Sequence, residues 1–322
     1  MERNLEEIAS AIRAARTVAI CSHVNPDGDT VGTGLALRLG LERLGIQVSL
    51  FDQDKVPDML HILPGHELYR SAESIGEDER FDLLLNVDVS DESRMGACRV
   101  LMQHADHNAQ IDHHGTNPEY CELNTVDGTA SAVALVGYDL LKALHVELNR
   151  EIAMCLYAAI STDTGNFAYG NTTGEAFHVM AELMQYDLPL SEMNRTLFME
   201  KSVAQIRLLQ RALATLTFSA DNQVTSMKLT MKDFEDCGAL PEHADTIVNY
   251  GLSISGVKMA VLARETLTGI KMSLRSLAPV SVSGVATRFG GGGHNQASGC
   301  TMQGTLDECT ARVVEAMCEA LD

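Results

Sequence analysis

The chain runs to 322 residues, 45% hydrophobic and 21% charged, the balance of a soluble globular protein long enough to enclose two cores. A net charge of −20 suits it poorly to gripping a long polyanion, and the lack of Trp with 5% aromatic content argues against an extended platform for stacking bases. No apolar run is long enough to span a bilayer, and eight scattered cysteines without a CxxC pair read as reduced core thiols of a cytoplasmic protein rather than as a zinc cluster.

Residues 1–20 carry charges throughout and repeat Leu5, Ile8, Ala9 and Ile12 at helical spacing, which predicts an amphipathic helix and not a signal peptide. The apolar run Thr17 to Cys21 predicts a strand that delivers SHVNPDGD, residues 22–29, into a loop, and a helical pattern starts near Thr30. His23, Asp27 and Asp29 then stand at a strand's C-terminal edge, where open α/β sheets collect ligands. Taken alone, the stretch is also ordinary turn chemistry.

A second strand is expected at 48–53. FDLLLNVDVSD is apolar on both faces, as a central parallel strand must be, and ends in Asp88 and Asp91. A helix is expected at 93–103, and AQIDHHGTN, 109–117, again closes a strand on Asp112, His113 and His114. Helices are expected at 129–145 and 151–167, the second carrying Asp163 near its C-terminal end. This alternation predicts a mainly parallel, doubly wound α/β domain over residues 1–185, a helical connector over 186–215 and a smaller α/β domain over 216–322. In that last part strands are expected near 224–230, 256–264 and 269–276, with helices near 240–250 and 305–321.

His23, Asp27, Asp29, Asp88, His113, His114 and Asp163 collect at separate segment ends. Carboxylates with imidazoles and no thiolate suit hard divalent cations, Mn2+ or Mg2+ before Co2+ or Fe2+. Seven groups exceed the needs of one ion. Two ions about 3.5 to 4 Å apart would use them all and would activate water for attack on phosphorus. Asp91 reads as a helix N-cap, His104, Asp106 and His107 as an exposed loop, and His61, His66, His145, His178 and His243 as structural.

The charge is uneven. Residues 256–300 hold Lys258, Arg264, Lys271, Arg275 and Arg288 against Glu265 alone, a local +4 where an anion could dock. Gly290 to Gly293 followed by His294 lacks the ending of a P-loop and the context of a dinucleotide fingerprint, but four glycines let backbone amides approach a phosphate.

The order SHVNPDGD, NVDVSD, IDHHG and STDTGNF, followed far downstream by GGGGHNQASG, resembles the DHH superfamily of phosphoesterases with its DHH-associated C-terminal domain, over nearly the whole chain. The resemblance implies an active site in the cleft between two domains. By it, His23, Asp27 and Asp88 hold one ion, and Asp29, Asp88, His113 and Asp163 the other, with Asp88 as the bridge. His114 would face the scissile phosphate, with Asp112 orienting a neighbouring imidazole. An Arg-Ser pair contacts the nucleotide in the family, which assigns substrate binding to Arg275 and Ser276 beside the nest of Gly291, Gly292, Gly293 and His294.

The two-domain length resembles the group that degrades very short oligoribonucleotides and dephosphorylates 3′-phosphoadenosine 5′-phosphate with two Mn2+ ions, Mg2+ or Co2+ being substitutes. The implied partners are short RNA or nucleotide substrates, neither long duplex nucleic acid nor a membrane, with a homodimer allowed. Two other readings compete: a phosphodiesterase of cyclic di-AMP, and a catalytically idle nucleotide-binding regulator. The idle reading expects a lost ligand, and all the positions are present. Thr33, where a serine is common, and Asn166 leave substrate preference open.

Overall fold

The computed structural model describes residues 5–321; residues 1–4 and 322, at the outer ends of the two expected domains, lie outside the described residues. The chain divides into two compact units, Met1–Glu200 and Lys201–Asp322, and the segment expected as a connector falls across the division.

The first unit opens with α1 (Glu6–Ala14), which buries Ile8, Ala9 and Ile12 on one stripe. It continues through β1 (Thr17–Cys21), α2 (Gly28–Arg43), β2 (Gln47–Asp52), β3 (Tyr69–Ser71), β4 (Phe81–Val87), β5 (Ala105–Asp112) and β6 (Leu123–Val126). The helices α3 (Val133–Ala143), α4 (Arg150–Asp163), α5 (Gly174–Leu183) and α6 (Leu190–Asn194) follow. The sheet order is β3-β2-β1-β4-β5-β6 and every pairing is parallel. This is the doubly wound α/β architecture the pattern predicts. The strand order reverses between β1 and β4, so the carboxyl ends of these two strands flank the switch point at which such sheets bind ligands.

Strand periodicity divides the apolar side chains between two layers. Val18, Ile20, Leu83, Leu85 and Val87 join the large core under the helices, whereas Ala19, Cys21, Phe51 and Leu84 pack with Met95, Cys98 and Leu101 on the other face. Helix α2 is enclosed almost all round, with Val31, Leu35, Ala36, Leu37 and Leu41 wholly buried. Gly32 permits this on the α4 side, since a Cβ there would stand 2.6 Å from the Cys155 carbonyl oxygen. Gly28 lies against Thr162 in the same seam, which sets the start of α2 beside the end of α4.

Two expectations need adjustment. The helix expected at 93–103 is 3-10 in character over Glu92–Gln103 and is interrupted at Gly96 (φ 54, ψ −132). The long helical pattern after Pro189 is broken: α6 passes into a π turn at Arg195–Met199, and a fresh start is made by the capping box of Ser202 and Gln205 ahead of the next helix.

That helix, α7 (Val203–Ala214), begins the second unit, followed by β7 (Thr217–Ser219), β8 (Val224–Leu229), α8 (Met231–Cys237) and α9 (Val248–Leu252). Then come β9 (Met259–Thr266), β10 (Gly269–Ser276), α10 (Ser283–Arg288), β11 (Gly292–His294), β12 (Ala297–Met302) and α11 (Leu306–Glu319). The sheet order is β11-β12-β10-β9-β8-β7, with β8 and β9 parallel and the other neighbours antiparallel. Ile270, Met272 and Leu274 of β10 pack with Val313 and Met317 of α11. On the opposite face Leu208 and Ala212 of α7 cover Met227, Leu229, Ala260 and Leu262, residues of β8 and β9.

Among the described residues no helix is long and apolar enough to cross a membrane. Seven of the eight cysteines are buried.

Candidate metal centre

Four segments of the first unit converge at the switch point. His23 follows β1 by two residues, Asp27 and Asp29 stand at the start of α2, Asp88 directly follows β4, and His113 and His114 follow β5. Asp163 is the last residue of α4, brought in by the close seam with α2.

The backbone aims each imidazole. His23 Nδ1 lies 2.9 Å from the Val24 carbonyl oxygen, and His113 Nδ1 lies 3.1 Å from that of Ala130. A proton on each Nδ1, donated to its carbonyl, leaves both Nε2 atoms as lone-pair donors, the arrangement that orients metal-binding histidines. The two Nε2 atoms approach opposite oxygens of one carboxylate: His23 lies 3.4 Å from Asp88 Oδ2, and His113 lies 3.5 Å from Asp88 Oδ1. Asp88 Oδ1 is buried with no hydrogen-bond partner.

Asp27 caps α2, its Oδ1 accepting the amides of Asp29 and Thr30, and its Oδ2 faces His23 Nε2 at 3.6 Å. Asp29 is buried and accepts the amides of Val133 and Ala134 at 2.6 and 3.0 Å, so it serves the first turn of α3, whose own N-cap position is held by Ala132. His113 Nε2 lies 3.7 Å from Asp29 and 3.8 Å from Asp163. Asn171, absent from the sequence reading, donates from Nδ2 to the Asp163 backbone carbonyl oxygen at 3.1 Å and to its carboxylate at 3.4 Å.

His114 turns its Nδ1 to Asp112 Oδ1 at 2.9 Å, and Asn117 donates to the other oxygen of Asp112 at 2.6 Å. Asp112 is wholly buried and its oxygens are both engaged, so it holds a ring rather than offering a free donor. The His114 ring is pushed above its ordinary value chiefly by the hydrogen bond to Asp112.

The electrostatics describe a centre short of positive charge. Burial, then the charges of Asp88, Asp163 and Asp27, holds the Asp29 carboxyl well above the usual carboxylate range. Burial raises Asp88 as well, and burial with the charges of Asp88 and Asp27 pushes Asp163 up to about 6. Burial opposes a charge on His23, but the hydrogen bonds and charges of Asp27 and Asp88 outweigh it and push the ring up to about 10. Three carboxyls that resist ionisation around a protonated histidine form a cluster whose charge a cation would balance. Three sets place one donor atom per residue within 4.8 Å of one another: His23, Asp27 and Asp88; Asp29, His113 and Asp163; and Asp88, His113 and His114. The orphaned oxygen of Asp88, the anchored Nδ1 atoms and the hard donor set fit divalent cations.

Of the residues set aside in the sequence, Asp91 caps the 92–103 segment through the Ser93 amide. His107 is exposed and faces Glu122, but it and Asp106 lie in β5 and not in the expected loop, and His104 contacts the Glu79 carbonyl oxygen.

In the second unit, strand register collects the expected substrate residues. Arg275 of β10 pairs with Ala297 of β12, which pairs with His294 of β11, so Arg275 and His294 share one face with a small residue between them. Lys271 lies on that face too, four residues back along β10. The row extends the other way to Ala260 of β9, where α7 to α9 cover the face; along it Arg275 is partly buried and His294 exposed. Gly291 and Gly293 allow β11 to approach β12, since a Cβ would stand 2.1 and 2.6 Å from the carbonyl oxygens of Gly299 and Ala297. Gly292 has open space where a Cβ would be. Ser276 is buried, its hydroxyl donating to the Val280 carbonyl oxygen at 2.7 Å.

Residues 17–160 match the profile of the DHH family, N-terminal domain, and residues 226–322 that of the DHHA1 domain. The chain is 34% identical over 99% of its length, and 94% of the relative's, to the bifunctional oligoribonuclease and PAP phosphatase NrnA of Thermus thermophilus. It is 28% identical to the Bacillus subtilis protein of the same name, covering 92% of each chain. The fold is similar to the crystal structure of an exopolyphosphatase-related protein from Bacteroides fragilis, with a TM-score of 0.89, 25% identity, and coverage of 98% and 95% of the two chains.

Proposed function

Because the chain belongs to the DHH family, we propose that it is a two-metal phosphoesterase that hydrolyses short oligoribonucleotides and linear dinucleotides such as pApA to mononucleotides, and dephosphorylates 3′-phosphoadenosine 5′-phosphate. The observation that carries this reading is Asp88, whose two oxygens each meet a backbone-anchored imidazole while the buried Oδ1, which His114 also approaches at 3.5 Å, has no hydrogen-bond partner.

Its relatives' names, oligoribonuclease and PAP phosphatase, point to the substrates. His23, Asp27 and Asp88 would hold one Mn2+, and Asp29, Asp88, His113 and Asp163 the second, with Mg2+ or Co2+ as substitutes. When bound, such ions supply Lewis acidity toward phosphate oxygens and make water nucleophilic at neutral pH. His114, its ring raised above the ordinary value by the hydrogen bond to Asp112, would face a phosphate oxygen where negative charge develops. Arg275, with its fork of donors, holds a second phosphate, and His294 and the amides of Gly291 to Gly293 complete the grip on the far nucleotide. The buried thiols accord with a cytoplasmic setting.

The test is a substrate panel. Purified protein with Mn2+ is assayed on pApA, an RNA pentamer, 3′-phosphoadenosine 5′-phosphate, cyclic di-AMP and pyrophosphate, with product release followed by chromatography. Turnover of the first three ahead of the last two is expected; preference for cyclic di-AMP would replace the reading, and no turnover of any would refute it.

A further inference from the structure

Arg94 stands at the edge of the metal centre and belongs to none of the motifs read from the sequence. It lies on the segment after β4 and is held there by the main chain. Val24 donates its amide to the Arg94 carbonyl oxygen at 2.8 Å, and Ala97 donates to Gln53 Oε1 at 2.8 Å. Between these contacts Gly96, at φ 54, lets the segment settle on the loop after β1; a Cβ there would lie 2.5 Å from Val24 Cγ1. The guanidinium is half-buried and is delivered to one place, with Nη2 3.0 Å from His23 Nδ1.

That contact does not satisfy it. His23 Nδ1 also lies 2.9 Å from the Val24 carbonyl oxygen, which only accepts, and when Nε2 serves a cation this nitrogen carries the ring's proton. A guanidinium only donates, and it finds no lone pair there. The requirement is the same whether His23 is an imidazolium or binds a cation through Nε2. Among the described residues no carboxylate oxygen comes within 4.0 Å of the charged nitrogens of Arg94, although four candidate carboxylate ligands are gathered close by. The Arg94 charge reaches Asp91, but no carboxylate pairs with it directly, and a half-buried guanidinium in that position beside the metal centre is free to meet an anion.

We infer that Arg94 is a substrate-binding residue that donates to a phosphate oxygen on the His23 and Asp27 side of the metal centre. The inference rests on the phosphoesterase reading. It adds to that reading a fixed cation on the first unit, so that phosphate is held there by a side chain as well as by metal. Planar, paired donors suit phosphate better than an ammonium does, so lysine should replace it only in part.

The experiment measures binding apart from turnover. Calorimetry gives the Kd of AMP, of adenosine and of Mn2+ for the wild type, Arg94→Gln and Arg94→Lys, and steady-state kinetics on pApA give KM and kcat. Expected for Arg94→Gln are an AMP affinity weakened by about tenfold or more and a KM raised in step, with adenosine and Mn2+ affinities within about twofold of wild type. Arg94→Lys should recover part of the AMP affinity. An unchanged AMP Kd would overturn the inference, and so would a weakened Mn2+ affinity with unchanged KM, which would make Arg94 a positioning residue for His23. Failure of the wild type to hydrolyse any phosphoester would remove the phosphoesterase reading instead, and it would show in a separate measurement.

Discussion

Asp29 accepts the backbone amide of Val133 at 2.6 Å, so a carboxylate proposed to bind metal also caps a helix 104 residues away in the chain. Ala132 at the N-cap of α3 has no side chain for the purpose. Asp29→Ala should therefore destabilise the metal-free protein by about 1 to 3 kcal/mol, as well as weakening metal binding. Urea denaturation in chelator measures the first effect; a metal-free stability equal to wild type would show that the cap is dispensable.

Asp163 has no comparable duty, and its carboxyl is raised to about 6 by burial and by Asp88 and Asp27. A folded-state pKa above the unfolded one gives a contribution that is full below the unfolded value, near 4, and lost as pH rises through 6. In chelator, Asp163→Asn should match wild type near pH 4 and exceed it above pH 6 by on the order of 1 kcal/mol, despite losing activity. Melting curves across that range check this; a variant less stable than wild type at pH 7.5 would contradict it.

Cation binding must expel protons from the same groups. His23, at about 10, holds its proton at neutral pH, and Asp29 and Asp88 are raised as well. Mn2+ affinity should rise with pH across the range from about 6 to about 10, and binding at pH 7 should release about one proton or more. Calorimetry in two buffers of different ionisation enthalpy counts the protons, and identical apparent enthalpies would refute the expectation.

Gly96→Ala places a Cβ at φ 54 and 2.2 Å from Gln53 Oε1. The change should cost about 1 to 3 kcal/mol of stability and disturb the loop carrying His23, so that Mn2+ affinity falls together with stability. Wild-type values of both would show that the segment yields freely.

Arg275→Ala should raise KM for pApA by about tenfold with kcat within a few-fold, because the side chain would grip substrate away from the reacting phosphorus. Ala297→Phe, which inserts a ring between Arg275 and His294 in the strand row, should do the same without removing a charge. Unchanged kinetics in both would leave that face without a role.

The parallel sheet was legible because the physics of its strands is local. A strand covered on both sides is largely apolar, as β4 is apart from Asp82 and Asn86, and the acid just past its last apolar residue, Val87, marks its carboxyl end, which is how Asp88 announces itself. The roles of Asn171 and Arg94 and the cap from Asp29 to α3 depend on segments that meet only after folding, and no spacing encodes them. The 92–103 segment has a helical composition, yet Gly96 takes up the sharp bend that its approach to Val24 requires. The short strand β11 is hidden among glycines, whose absence of side chains removes the alternation that reveals a strand.

Asp88 stands at φ 62, in the left-handed region where short Asp and Asn side chains are far more at home than longer ones. The main chain thus discriminates among acids before any cation arrives. A glutamate would bear the cost of that conformation and carry its oxygens a methylene too far for His23 and His113 together, so at this position charge alone is not a sufficient replacement.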